Sequence, residues 1–150
     1  LDTLEKAVRE VPGVDSTIVD QVVAMGMVSV LDALSERGVQ WGIVTNKLRF
    51  LAEPLVAEVG IAQDCAVVIG GDCASHSKPH PAPINLAMAR MGATAADTVY
   101  VGDAEKDIVA GRAAGTCTVA VTWGYIIPGE EPTSWGADFV IAKPDELLTL

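Results

Sequence analysis

The chain has 150 residues, half of them hydrophobic, and carries a formal net charge of −10 at pH 7 with a pI near 4.4. That size suits one compact domain with an ordinary core, and an acidic balance excludes an electrostatic grip on nucleic acid or an anionic membrane, which need basic stripes. Cys65, Cys73 and Cys117 are odd in number and lack CxxC spacing. They imply neither a closed disulfide set nor a zinc knuckle, and they predict a reduced, cytoplasmic setting. No run approaches the roughly 18 consecutive apolar residues of a spanning helix.

In chain order, "LDTLEKAVRE" reads as a helix, "VPGVD" as a turn and "STIVDQVVAMG" as a second helix capped by Ser16. No strand ending in a reactive residue stands in residues 1–27. From about residue 28 two patterns alternate. Helical spacing in "VSVLDALSERG", stopped by Gly38, precedes the buried-strand run "QWGIVTN". Next come a helical "FLAEPLVAEVG", a strand "CAVVIGG", a loop "DCASHSKPHP" and a helix "APINLAMARMG". The strand "TVYVGD", a further helix, the strand "CTVAVTWG", and "ADFVIAKPDELLTL" as strand then short helix complete the chain. Continuous β-branched strands separated by amphipathic helices predict an α/β domain: a doubly wound parallel sheet with helices on both faces.

Ligands of such sheets bind beyond the carboxyl ends of the strands, so the residues there carry the functional argument. Thr45, Asn46 and Lys47 follow one strand, Asp72 and Lys78 another, and Gly102-Asp103 with Asp107 a third. Asp103 and Asp107, four apart across a strand end and the first turn of a helix, suit a hard divalent ion such as Mg²⁺. The plainer alternative makes Asp103 a helix cap and Asp107 a solvated acid. Thr45-Asn46 offers a hydroxyl and backbone N–H groups at a helix start, an anion cradle, against a plain N-cap. Lys78, between Ser77 and Pro79 in a proline-held loop, aims an ammonium at a phosphate or is an ordinary surface lysine. Their shared placement on one edge makes phosphoryl chemistry the joint reading. His76 and His80 flank Lys78 on a proline-broken loop, which argues against a shared metal and for His80 shaping the loop. Cys73 reads as a small buried filler and Trp41 as core. Trp123 reads as core or loop packing, with Trp123 to Tyr125 lining a pocket mouth as the alternative.

These residues resemble the haloacid dehalogenase (HAD) superfamily, in its phosphoglycolate phosphatase-like branch. "VTNK" is similar to the family's second motif, "SKPHP" to its third and "VGDAEKD" to its fourth, in the family's order, over roughly residues 28–148. The resemblance implies that Thr45 and Asn46 bind the phosphoryl group and that Lys78 neutralises it and the attacking carboxylate. It implies that Asp103 ligates Mg²⁺ directly, while Asp107 holds the ion through water or orients Lys78. The implied mechanism is covalent, through an aspartyl-phosphate that water cleaves, on a small phosphorylated metabolite such as 2-phosphoglycolate. The family's first motif, DxDGT, which supplies the nucleophile, is nowhere in the 150 residues. The expectation is therefore a HAD-like Rossmannoid core over residues 28–150, preceded by a cap or N-terminal remnant in 1–27, with the first-motif strand and most of the cap lying outside. A sheet without that strand exposes two unpaired edges, which predicts low stability or self-association into a homo-oligomer. Two other readings remain at this point: a non-catalytic module that binds phosphate and metal, and a receiver-like signalling domain, whose acids precede its lysine in the opposite order.

Overall fold

A computed structural model describes residues 27–60, 63–123 and 128–150. The order is α1 (Met27–Glu36), β1 (Ile43–Val44), α2 (Arg49–Val59), β2 (Val68–Ile69), α3 (Ala82–Met91), β3 (Val99–Gly102), α4 (Glu105–Ala113), β4 (Cys117–Val121) and β5 (Phe139–Ile141). Short 3₁₀ segments stand at Ala95–Asp97, Pro132–Ser134 and Pro144–Thr149. The closing "short helix" of the sequence pattern is the last of these. The helices read in "LDTLEKAVRE" and "STIVDQVVAMG" lie outside the described residues.

Local chemistry accounts for the helices. Met27, Val30 and Leu31 in α1 are buried at i, i+3 and i+4, one face of a helix. Gly38 at φ 75 and Gly60 at φ 85 take the left-handed conformation that ends α1 and α2, where a Cβ would be strained. The strands are shorter than their β-branched runs. Only Val68–Ile69 of "CAVVIGG" and Ile43–Val44 of "QWGIVTN" are regular, because regular pairing there reaches a single neighbouring strand.

All pairings are parallel, as a βαβ chain requires. The strands nevertheless form two sheets, β1-β2 and β3-β4-β5, among the described residues. Their registers place Ile43 opposite Val68, Tyr100 opposite Thr118 and Val119 opposite Phe139. The single sheet read from the alternation is thus divided, and β1 and β3 are the two edges at the division.

Helix α3 joins the halves. Its Ile84, Ala87 and Met88 form one buried cluster with Val44 of β1, Ile69 of β2, Tyr100 of β3 and Ala110 of α4. Ile84 is 1% exposed, a burial worth about 1.5–3 kcal/mol. On the opposite face, Val119, Val121 and Ile141 pack with Val101, Trp123 and Leu147. Tyr100 and Val101, adjacent in β3, point to opposite faces as the pleat demands. Helix α1 packs against the C-terminal 3₁₀ segment, with Arg37 Nη1 donating to the Leu148 carbonyl at 3.0 Å.

Candidate active site

Thr45 continues the β1 ladder by donating its N–H to the Ile69 carbonyl at 2.9 Å, and it is 1% exposed. Its hydroxyl oxygen accepts from Lys47 N–H at 3.1 Å, closing a tight turn. Helix α2 begins only at Arg49, and its first N–H is taken by Asp72 Oδ1 at 3.0 Å. The anion cradle read at Thr45-Asn46 is therefore not built on a helix start. The plain N-cap reading fails too, because the cap position is Leu48 and the capping carboxylate comes from the loop after β2.

Asn46 ties two loops together. Its side-chain nitrogen donates to the Lys78 carbonyl at 3.2 Å, and Lys78 N–H donates to its side-chain oxygen at 2.9 Å. The pairing fixes the backbone of Lys78 from across the cleft. Gly71 lies directly against this residue, and a Cβ there would overlap the Asn46 carbonyl.

The Lys78 side chain is fully buried. Its Nζ donates to Asp107 Oδ1 at 2.7 Å, to the Tyr100 hydroxyl at 3.0 Å and to the Val44 carbonyl at 3.2 Å. The same ammonium lies 5.6 Å from the centre of the Tyr100 ring. Three acceptors from β1, β3 and α4 thus converge on one cation, which brings the carboxyl ends of β1 and β3 to the same place. The surface-lysine reading of Lys78 does not hold.

Asp107 is also fully buried, and its second oxygen accepts from Ala104 N–H at 3.1 Å. It is Asp107, reaching back from the first turn, that caps α4; the alternative of Asp103 as cap and Asp107 as surface acid is overturned. Gly102 makes room for this acid, since a Cβ there would overlap the Asp107 side chain. Asp103 is 1% exposed, and both of its carboxylate oxygens lie beneath the surface.

The buried carboxylate of Asp103, just past the end of β3, is the hard oxygen donor that a divalent cation takes. Mg²⁺ needs only one or two carboxylates when waters and a phosphate complete its octahedron, so the residues fit that ion. Among the described residues no group of three or more His, Cys, Asp or Glu side chains gathers to hold a metal ion.

The sequence reading missed Tyr100 and the Val44 carbonyl. Tyr100 had a signal: it is the aromatic of "TVYVG", on the helix-covered face, with a hydroxyl that needs a buried partner. A backbone carbonyl turned toward a lysine has no sequence signal. His76 and His80 stack at 4.3 Å with their planes 20° apart, so their lone pairs do not converge on one ion. His80 Nδ1 accepts from Ala82 N–H at 3.0 Å, the loop-shaping role expected of it.

Cys73 is half-buried and accepts from Gly70 N–H at 3.3 Å. All three cysteines are free thiols; burial pushes the Cys65 and Cys117 thiols up, away from the reactive thiolate. Trp41 is buried with its indole N–H on Ser35 Oγ at 3.0 Å. Trp123 packs with the Val119 cluster, while Tyr125 lies outside the described residues. No helix among the described residues is long and apolar enough to cross a membrane.

Comparison with known proteins points the same way. A family model described as haloacid dehalogenase-like hydrolase matches residues 5–121. The chain is 46% identical over 122 residues to a phosphoglycolate phosphatase of Xanthomonas campestris pv. campestris, covering 81% of this chain and 55% of that protein. It is 40% identical over 123 residues to an N-acetylmuramic acid 6-phosphate phosphatase of Pseudomonas aeruginosa, covering 82% and 54%. Among solved structures, that of a predicted phosphoglycolate phosphatase from Haemophilus somnus 129PT superposes with a TM-score of 0.77 at 28% identity, over 83% of this chain and 55% of that one. The chain spans about half the length of the curated relatives it matches.

Proposed function

We propose that this chain, which belongs to the haloacid dehalogenase-like hydrolase family, is core sequence of a Mg²⁺-dependent phosphatase for a small phosphomonoester. The observation that carries the reading is the fully buried Lys78–Asp107 pair at 2.7 Å, set where β1 and β3 end beside buried Thr45 and Asp103. A cation that shares a buried pocket with acids is arranged to meet a charge larger than its own, and a phosphoryl group with its metal is such a charge.

In this reading Thr45 and Asn46 hold the phosphoryl oxygens. Lys78 neutralises the phosphate, Asp107 orients Lys78, and Asp103 is the direct metal ligand. Of the two roles open to Asp107, orientation of Lys78 is the better supported, because both of its oxygens already accept hydrogen bonds. Bound Mg²⁺ supplies Lewis-acid stabilisation of the charge on the transferring group. The nucleophilic aspartate belongs to a first-motif strand outside these 150 residues. Residues 28–150 then form the core, and 1–27 a remnant of the cap or N-terminal region. The substrates named for the two curated relatives share a phosphomonoester and a carboxylic acid, which supports a 2-phosphoglycolate-like substrate.

The test is phosphate release from 2-phosphoglycolate by the full-length protein with and without Mg²⁺, for wild type and Asp103→Asn. The expected result is turnover that requires Mg²⁺ and disappears in the variant. Unchanged turnover in Asp103→Asn overturns the metal assignment. Absence of all turnover from a folded full-length protein that still binds phosphate favours the non-catalytic module.

A further inference from the structure

Lys78 carries its charge on a long flexible stem, and an ammonium is a compact point charge with no fixed fork of donors. The fold therefore has to set where that charge sits. At the backbone end Asn46 does so, since its amide engages both the N–H and the carbonyl of Lys78. At the head, Asp107 of α4 supplies the counter-charge at 2.7 Å and is itself tethered to the Ala104 N–H. The Tyr100 hydroxyl of β3, at 3.0 Å, contributes something different in kind. Toward an ammonium a hydroxyl can only accept, and it holds the cation without cancelling more of its charge. That charge is left to meet the phosphoryl group.

The hydroxyl is a fixed post because the ring behind it is clamped. Tyr100 is buried and packs with Ile84 and Met88 of α3 and with Ala110 of α4. A Cβ built on Gly111 of α4 would stand 3.3 Å from the Tyr100 Cβ, so that helix lies against the root of the side chain.

The contact is made by the hydroxyl and not by the face of the ring. Lys78 Nζ is 3.0 Å from the hydroxyl oxygen and 5.6 Å from the ring centre, a difference close to the span from that centre to the oxygen. The ammonium thus lies beyond the hydroxyl, near the line of the C–O bond. Without the oxygen it would face the positive edge of the ring, which gives a cation nothing. The same strand, β3 (Val99–Gly102), runs directly into Asp103, so the post that meets the ammonium and the acid that meets the metal share one rigid element.

We infer that Tyr100 is a positioning residue for phosphoryl transfer, its hydroxyl holding the Lys78 ammonium in register with Asp103. The inference rests on the phosphatase reading for the reaction it serves; the hold on the ammonium stands on the geometry.

The test uses the full-length protein labelled with nitrogen-15 lysine, as wild type, as Tyr100→Phe and with 3-fluorotyrosine in place of Tyr100, which keeps the hydroxyl. Loss of a signal in Lys78→Met identifies the Lys78 Nζ resonance. In Tyr100→Phe that resonance is expected to move or broaden. The kcat for 2-phosphoglycolate with Mg²⁺ is expected to fall by roughly tenfold while KM stays within about twofold, the pattern of an interaction realised in the transition state. The fluorotyrosine protein is expected to follow wild type in both. A Tyr100→Phe protein with the wild-type resonance or the wild-type kcat overturns the inference. An equal loss in the fluorotyrosine protein overturns it in favour of ring packing, and a raised KM at constant kcat overturns it in favour of plain ground-state binding. If wild type releases no phosphate, the phosphatase reading falls by itself and the resonance still decides: moved by Tyr100→Phe, it upholds the grip of the hydroxyl on Lys78, and unmoved, it removes it.

Discussion

Replacing Asp107 by alanine removes one member of an ion pair in which both side chains are fully buried at 2.7 Å. The remaining ammonium keeps the Tyr100 hydroxyl and the Val44 carbonyl as acceptors and loses the carboxylate at 2.7 Å. Breaking a buried pair in this way costs about 3–5 kcal/mol, mostly the penalty of the uncompensated charge rather than the worth of the bond. Loss of the cap on Ala104 N–H contributes about 1 kcal/mol within that figure. Against a typical stability of about 5–15 kcal/mol the single variant sits near the edge of folding. Removing both partners, Lys78→Met with Asp107→Ala, takes away the stranded charge and should leave mainly the cap loss of about 1 kcal/mol. Urea unfolding at neutral pH, followed by far-UV circular dichroism for wild type, both singles and the double, measures the cycle. The expected coupling is about 2 kcal/mol or more. A single variant within about 1 kcal/mol of wild type, or a double equal to the sum of the singles, would refute the account of Asp107 as the group that makes a buried lysine tolerable.

Three further outcomes follow from the same geometry. Gly102→Ala drives a methyl group into the Asp107 side chain and should cost about 1–3 kcal/mol by overpacking, read from the same urea curves. Tyr100→Phe keeps the ring but deletes an acceptor of Lys78, and should lose about 1 kcal/mol with an unchanged spectrum; no loss would remove Tyr100 from the site. Asp138 accepts from the Thr118 N–H at 2.8 Å and hydroxyl at 3.1 Å, which holds its carboxyl below the usual value. Its stabilising contribution is therefore full above the ordinary carboxylate range near pH 4 and is lost as pH falls through the lower folded value. Wild type and Asp138→Asn should accordingly converge in thermal midpoint in acid, and a gap that ignores pH would refute the linkage.

The order of elements was legible because helical and strand periods alternate cleanly after residue 28, and the parallel class followed from strands with no polar face. The division of the described strands into β1-β2 and β3-β4-β5 has no signal in that alternation, which reads the same for one sheet or two. Thr45, Lys78, Asp103 and Asp107 could be read because each follows a strand run, and buried polar residues in such positions rarely arise for packing alone. Their partners could not be read in the same way. The Asn46 amide engages Lys78 from 32 residues away, and Asp72 caps a helix that starts 23 residues earlier. Such pairings depend on loop closure in three dimensions, for which neither spacing nor propensity carries a record.

The close contact of Gly71 with Asn46 has a consequence for how this sequence can drift. Asn46 grips Lys78 through both of its amide atoms, so a side chain at position 71 would shift the grip and with it the ammonium. Position 71 is then silent in any inventory of reactive groups, yet it is as constrained as the lysine it never touches. In a saturation library selected for function, substitutions at 71 should be purged together with those at 46 and 78. Tolerated changes at 46 should appear only in clones that also alter the loop carrying 78, so that position 46 and a loop 32 residues away from it are inherited as one unit.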